Sequence, residues 1–175
     1  TWASESNPSY AEVTGVNAHW TRKMPDLDYI TESNNRLWGC KFGQKESGFV
    51  NEIYASKLGD FKNWTSFQGT AMDSYAASIG ADGPFTGAIS YNGRPVFFKE
   101  NSMIQVYGAY PAQYQVNTIE CKGIQFGCGE SAAVVNNRLY YWSRGGVCMY
   151  DGSLPVTISA PLGNLSLSSA VGGGA

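Results

Sequence analysis

The sequence is poor in formal charge. Of its 175 residues only 12 are Lys or Arg and 14 are Asp or Glu, a net charge of −2. Binding to phosphate backbones relies on Lys and Arg that release condensed counterions, so stable nucleic-acid binding is disfavoured. No run approaches the roughly 18 apolar residues of a membrane-spanning helix. The opening TWASESNPSY has neither the basic start nor the apolar middle of a signal peptide. It begins on Thr rather than Met, and the natural start is expected further upstream.

Ligand and nucleophile sets are lacking too. The one histidine is His19, and the four cysteines Cys40, Cys121, Cys128 and Cys148 form no Cys-x-x-Cys pair, so no zinc site is expected. Each cysteine lies in or beside an apolar segment and reads as a buried free thiol acting as a small hydrophobe. A Cys121 to Cys128 disulfide is the alternative, and needs strand ends brought close. No GxSxG elbow accompanies His19, which reads as a surface or turn histidine. The clusters GGV and VGGGA lack the GK[ST] ending of a phosphate loop. No catalytic residue, metal or cofactor is therefore expected.

What the chain does have is 21 glycines, 11 tyrosines, and 43% hydrophobic and 14% aromatic residues. Gly supplies the positive φ of tight turns, and aromatics suit a pleated, half-buried surface, so short strands joined by tight turns are expected. One phrase recurs: NNRLWG at 34–39 and NNRLYYW at 136–142, with a looser YNGRPVFF at 91–98. Counted by the arginine, the intervals are 58 positions (36 to 94) and 44 positions (94 to 138). The second is close to the roughly 40–50 residues of a propeller blade, and the first requires an insertion.

Each echo reads as a four-stranded antiparallel unit. The third gives strands ESAAVVN, RLYYWSR, VCMYDG and LPVTIS, with turns at Asn136-Asn137 and Gly145-Gly146. The middle one gives PFTGAISY, RPVFFKE, MIQVYGAY and YQVNTIE, with turns at Asn92-Gly93 and near Asn101-Ser102. The first gives LDYITES, a turn at Asn34-Asn35, RLWGCKF, a loop GQKESGF and then NEIYASKLG. Asn-Asn and Asn-Gly fit two-residue hairpins in which both central residues take positive φ. The insertion follows as DFKNWTSFQGTAMDSYAASIGADG, with a strand or a short helix in TAMDSYAASIG.

Three such units predict an all-β, propeller-like chain, with a β-sandwich as the alternative. The expected layout is an incoming segment at 1–25, blade 1 with its insertion at 26–84, blade 2 at 85–127, blade 3 at 128–163, and a lead-in to another blade at 164–175. Closed propellers have about 4 to 8 blades. The expectation is a fragment of a larger propeller, or copies that cover one another's open blade faces.

Within IYASKLGDFKNW, Ser56, Gly59, Asp60 and Trp64 read as a structural corner: Gly59 permits the turn, Asp60 accepts from amides just beyond it, and Trp64 closes over it. NNRLWG, IYASKLGDFKNW, DGPFTGAISYNGRPVFFKEN, VYG and LYYWSRGGVCMYDG together resemble the propeller-type tail proteins of tailed bacteriophages, which build the nozzle, stopper or tube end. The resemblance spans about Asp28 to Ser159. It implies a structural virion component, made in the host bacterial cytoplasm and sited in the tail. Its implied partners are other tail proteins and copies of itself, with transient DNA passage, no membrane span and no catalytic residues.

Other uses of the same residues remain. Arg36, Arg94 and Arg138 hold equivalent positions and are weak binding candidates, either converging on a carboxylate as in sialidases or standing separately at the rim. Glu52, Asp60, Asp73, Asp82, Glu100, Glu120, Glu130 and Asp151 are scattered singly, with no catalytic pair. Trp2, Trp20, Trp38, Trp64 and Trp142 could stack sugars. Trp38 and Trp142, however, lie two and four residues past their arginines and share a strand face, which favours packing between blades. A secreted glycan-binding or sialidase-like propeller is the alternative function.

Overall fold

The computed structural model describes residues 24–45 and 48–162, and these form an all-β, propeller-like chain of three four-stranded antiparallel sheets. Blade 1 comprises β1 (Tyr29–Ser33), β2 (Arg36–Lys45), β3 (Gly48–Ala55) and β4 (Tyr75–Ser78). Blade 2 comprises β5 (Phe85–Tyr91), β6 (Arg94–Lys99), β7 (Ser102–Tyr107) and β8 (Gln115–Glu120). Blade 3 comprises β9 (Ala133–Val135), β10 (Arg138–Ser143), β11 (Gly146–Tyr150) and β12 (Val156–Thr157). In each sheet the spatial order is the sequence order, an up-and-down meander and not the Greek key of the sandwich alternative. Residues 1–23 and 163–175 lie outside the described residues. So do Trp2, His19, Trp20 and the lead-in expected at 164–175.

The first hairpin of every blade turns on a pair in the left-handed region. The φ values are 53° and 57° at Asn34-Asn35, 49° and 68° at Asn92-Gly93, and 48° and 61° at Asn136-Asn137. Two positive φ values give the type I′ turn, whose twist matches that of the flanking strands. These turns also tie neighbouring blades together. The Asn34 side-chain amide donates to the Gly93 carbonyl at 2.7 Å, and the Tyr91 hydroxyl donates to the Asn137 carbonyl at 2.9 Å.

Other boundaries differ from expectation. The loop expected at 43–49 is largely strand: β2 runs on to Lys45, and Gly43, Gln44 and Lys45 pair with Val50, Phe49 and Gly48. An edge-on contact between Phe42 and Phe49, with centroids 5.0 Å apart, packs this extension. Of the segment offered as strand or helix (70–80), only Tyr75–Ser78 is regular, the strand β4, and residues 70–74 are turn and irregular. The turn expected near Asn101-Ser102 falls one residue earlier, at Glu100-Asn101, because Ser102 pairs with Lys99 and Glu120 while Cys121 and Gly123 cap the two turn carbonyls. The Gly-Gly turn likewise slides to Arg144-Gly145. Gly146 (φ 109°) is a strand residue held free of a side chain by the Ser159 hydroxyl packed against it.

The outer strands of blade 3 are shorter than expected because side chains take over their ladders. Ser131 Oγ accepts from the Trp142 amide at 3.0 Å beyond the end of β9. Ser159 Oγ accepts from the Val147 amide at 3.0 Å beyond β12. The conformationally demanding turns are written locally, whereas strand ends are decided by residues that arrive from elsewhere in the chain.

Candidate functional site

Side chains alternate between faces along a strand, so one rule describes how the blades stack. The positions two and four past the arginine face the following blade, and those one and three past it face the preceding one. In blade 1, Trp38 and Cys40 join Ile53 and Ala55 against Phe85, Phe97, Ile104 and Val106 of blade 2. In blade 2, Val96 and Phe98 join Tyr91 and Met103 against Leu139, Tyr141, Cys148 and Tyr150 of blade 3. Blade 2 is thus packed on both sides, and its β6 and β7 are buried nearly throughout. Phe98 meets Tyr141 with centroids 4.9 Å apart, and Tyr91 meets Tyr150 edge-on at 5.5 Å. Fully burying such a ring contributes roughly 1.5–3 kcal/mol.

The three arginines share a register but not an environment. Arg36 is buried, and its guanidinium donates to the carbonyls of Ser56 and Ala71 (both 2.8 Å) and of Asp73. It also lies 5.9 Å from the centre of the Tyr114 ring. Arg94 is exposed and stacks over Tyr107 at 4.5 Å, beside a small cavity of about 60 Å³ lined by Tyr91, Gln105 and Tyr150. Arg138 is exposed at the start of β10. Because the Arg36 donors are occupied by main-chain carbonyls, the three do not offer one shared set of donors to a carboxylate.

The expected insertion (60–83) contains the fourth strand of blade 1, and Arg36 fastens the long β3–β4 loop before it, residues 56–74, onto the sheet. Ser56 is buried and its hydroxyl accepts from the Leu37 amide at 3.0 Å. Gly59 (φ 70°) donates its amide to Asn35 at 3.0 Å. Asp60 accepts from the Lys62 amide at 3.3 Å, and Trp64 is buried. The residue that organises the rest is Asp73, one of the scattered acids. Its carboxylate accepts from the amides of Gln68 (2.5 Å) and Thr70 (3.0 Å) and from the hydroxyls of Thr70 (2.8 Å) and Ser66 (3.2 Å). Burial alone would raise the Asp73 carboxyl, but these hydrogen bonds outweigh it and bring it down to about 2. A groove of about 360 Å³ runs between this loop and Tyr110–Ala112, lined by Phe67, Thr70, Asp73, Tyr75, Tyr110 and Pro111. Asp73 has no spare basicity to lend it.

Lys99 is a second clamp that single-residue reading missed. Its ammonium is buried between blades 1 and 2, where it donates to Asn51 Oδ1 (2.8 Å), Ala81 O (2.8 Å) and Gly83 O (2.5 Å) and faces the Phe42 and Phe85 rings. Burial pushes it down to about 8. On the other side of blade 2, the buried Gln105 amide donates to the Tyr150 hydroxyl at 2.7 Å and accepts from Tyr107. All four cysteines are free, and Cys121 does not pair with Cys128. Burial raises the Cys40 and Cys128 thiols and pushes Cys121 up to about 11, away from the thiolate form a nucleophile requires. Among the described residues no group of three His, Cys, Asp or Glu is placed to hold a metal ion, and no helix is long and apolar enough to cross a membrane.

These features define a class: three propeller-type blades joined by two buried apolar layers, with a long blade 1 loop clamped onto its own sheet. No family model matches the chain, and no curated protein matches it.

Proposed function

We propose that the chain is a structural component of a phage tail, part of a nozzle, stopper or tube-end propeller, and acts in assembly and in DNA retention or passage and not as an enzyme. The observation that carries this is the use made of the repeated phrase. In each repeat the turn contacts a neighbouring blade and at least one aromatic after the arginine (Trp38, Phe97 and Phe98, Tyr141) packs between blades, and in blade 1 the arginine itself is engaged by main-chain carbonyls. A wall of blades locked this way is stiff, and the net charge of −2 gives passing DNA nothing to hold it. The resemblance from Asp28 to Ser159 points to the same setting, with other tail proteins as partners.

In purified particles of a tailed phage that encodes the chain, quantitative mass spectrometry is expected to find it at a fixed copy number. A glycan array probed with the full chain is expected to show no saturable binding. Absence from particles, together with glycan binding lost in an Arg94→Ala, Arg138→Ala variant, would favour a secreted glycan-binding propeller instead.

A further inference from the structure

The cavity of about 60 Å³ beside the first hairpin of blade 2 is polar and open to solvent at one side. Asn92, Arg94 and Gly152 line it as exposed residues, whereas Gln105 and Tyr150, which also line it, are 3% and 2% exposed. One water needs roughly 10–15 Å³ of such space, and a whole drug-sized ligand takes roughly 300 Å³ or more. The cavity therefore admits a group of a few heavy atoms.

A chain of hydrogen bonds leaves one buried proton unspent here. The Tyr107 hydroxyl donates to Gln105 Oε1, and the Gln105 amide nitrogen donates to the Tyr150 hydroxyl at 2.7 Å and to Met103 Sδ at 3.7 Å. A thioether can only accept, which fixes the amide with its nitrogen toward Met103 and Tyr150. The Tyr150 oxygen is thus an acceptor, and its own proton meets no acceptor among the described residues. Burial raises this hydroxyl, which keeps it a donor.

The cation beside it is uncommitted as well. Arg94 lies over the Tyr107 ring at 4.5 Å, a stacking that covers the face of the guanidinium and leaves its in-plane N–H donors at the edge. Among the described residues those donors meet no carboxylate or carbonyl. Asp151, next in sequence to Gly152, is held elsewhere: its carboxylate accepts from the Ser153 amide at 3.2 Å and from the Ser153 hydroxyl at 2.8 Å.

We propose that this cavity is a carboxylate site, in which the edge of the Arg94 guanidinium and the Tyr150 hydroxyl donate to the two oxygens of an entering carboxyl group. One formal cation matches one carboxylate, and no lysine lines the cavity to balance the second charge of a phosphate. The carboxylate arrives either on a small free acid or at the tip of an aspartate or glutamate of a partner protein. The inference rests on the cavity and its donors, and is independent of the virion reading.

Titration of the full chain with acetate, at ionic strength held constant with chloride and followed by NMR of the Arg94 Nε–H and the Gln105 side-chain amide, tests it. Saturable shifts in the millimolar range are expected, as suits a ligand of so few atoms. Arg94→Met, at an exposed position, should weaken binding by about tenfold or more, and Tyr150→Phe, which keeps the ring, by about tenfold. Arg138→Met should leave it unchanged. A tripeptide with a central glutamate and blocked ends that shifts the same resonances, while its glutamine counterpart does not, would assign the site to an acidic side chain; acetate binding without the peptide would assign it to a small free acid. No saturable shift, an equal response to phosphate, or an acetate response that survives Arg94→Met would each overturn the proposal. Particle copy number does not enter these outcomes, so the carboxylate site and the virion reading fail separately.

Discussion

Replacing Arg36 by Met and, separately, Arg138 by Met asks what the repeated Asn-Asn-Arg phrase does. The two arginines have the same local sequence and the same place after a type I′ turn, yet Arg36 is 2% exposed and Arg138 stands in solvent. Arg36→Met keeps the aliphatic stem but removes every donor to the Ser56, Ala71 and Asp73 carbonyls. The Ser56 and Asp73 contacts are buried, and a buried carbonyl left without a donor costs about 1–2 kcal/mol. The expected loss is therefore about 2–4 kcal/mol, with Arg36→Lys intermediate because a point charge cannot span three diverging carbonyls. Arg138→Met should stay within about 0.5 kcal/mol of the parent, as exposed substitutions do. Urea unfolding at pH 7 with unchanged m-values measures both. Equal effects at the two sites, or an Arg36→Met chain as stable as the parent, would refute the assignment of Arg36 as the clamp of the β3–β4 loop.

Other expectations follow from the same contacts. Phe98→Ala, emptying the layer between blades 2 and 3, should cost about 3–5 kcal/mol in the same assay. Asn137→Ala should cost about 1 kcal/mol because Ala must adopt φ near 61°, whereas Asn137→Gly should be close to neutral. The Asp73 carboxyl is lowered on folding, so its contribution is present above about pH 4 and is lost as pH falls toward 2; the stability gap between the parent and Asp73→Asn should close over that window. The Lys99 ammonium is lowered to about 8, so between pH 8 and its ordinary value near 10.5 the unfolded chain holds more protons. Over that window the parent should gain stability relative to Lys99→Met, read from parallel urea titrations.

The parts of the fold legible in the sequence were those fixed by local chemistry. Asn34-Asn35, Asn92-Gly93 and Asn136-Asn137 announce their turns because few other residues accept positive φ twice in succession. The alternation around Trp38 announces its place between blades 1 and 2, whereas Trp142, at the matching register, packs in neither layer among the described residues. Strand ends were not legible where a distant hydroxyl completes the ladder, as Ser131 and Ser159 do in blade 3. The roles of Asp73, Lys99 and Gln105 were also hidden. A lone acid, a lone lysine and a lone glutamine carry no spacing signal, and their partners arrive from loops or from another blade. Arg36 and Arg138 make the same point, since identical phrases acquire different functions from what the rest of the chain lays over them.

Hydrogen exchange across the full chain tests the stacked-blade architecture most directly. If blade 2 is packed on both faces, the slowest amides should fall in β6 and β7, with β9 and β12 exchanging orders of magnitude faster. Comparable protection in all three blades, or the slowest exchange in blade 3, would contradict it.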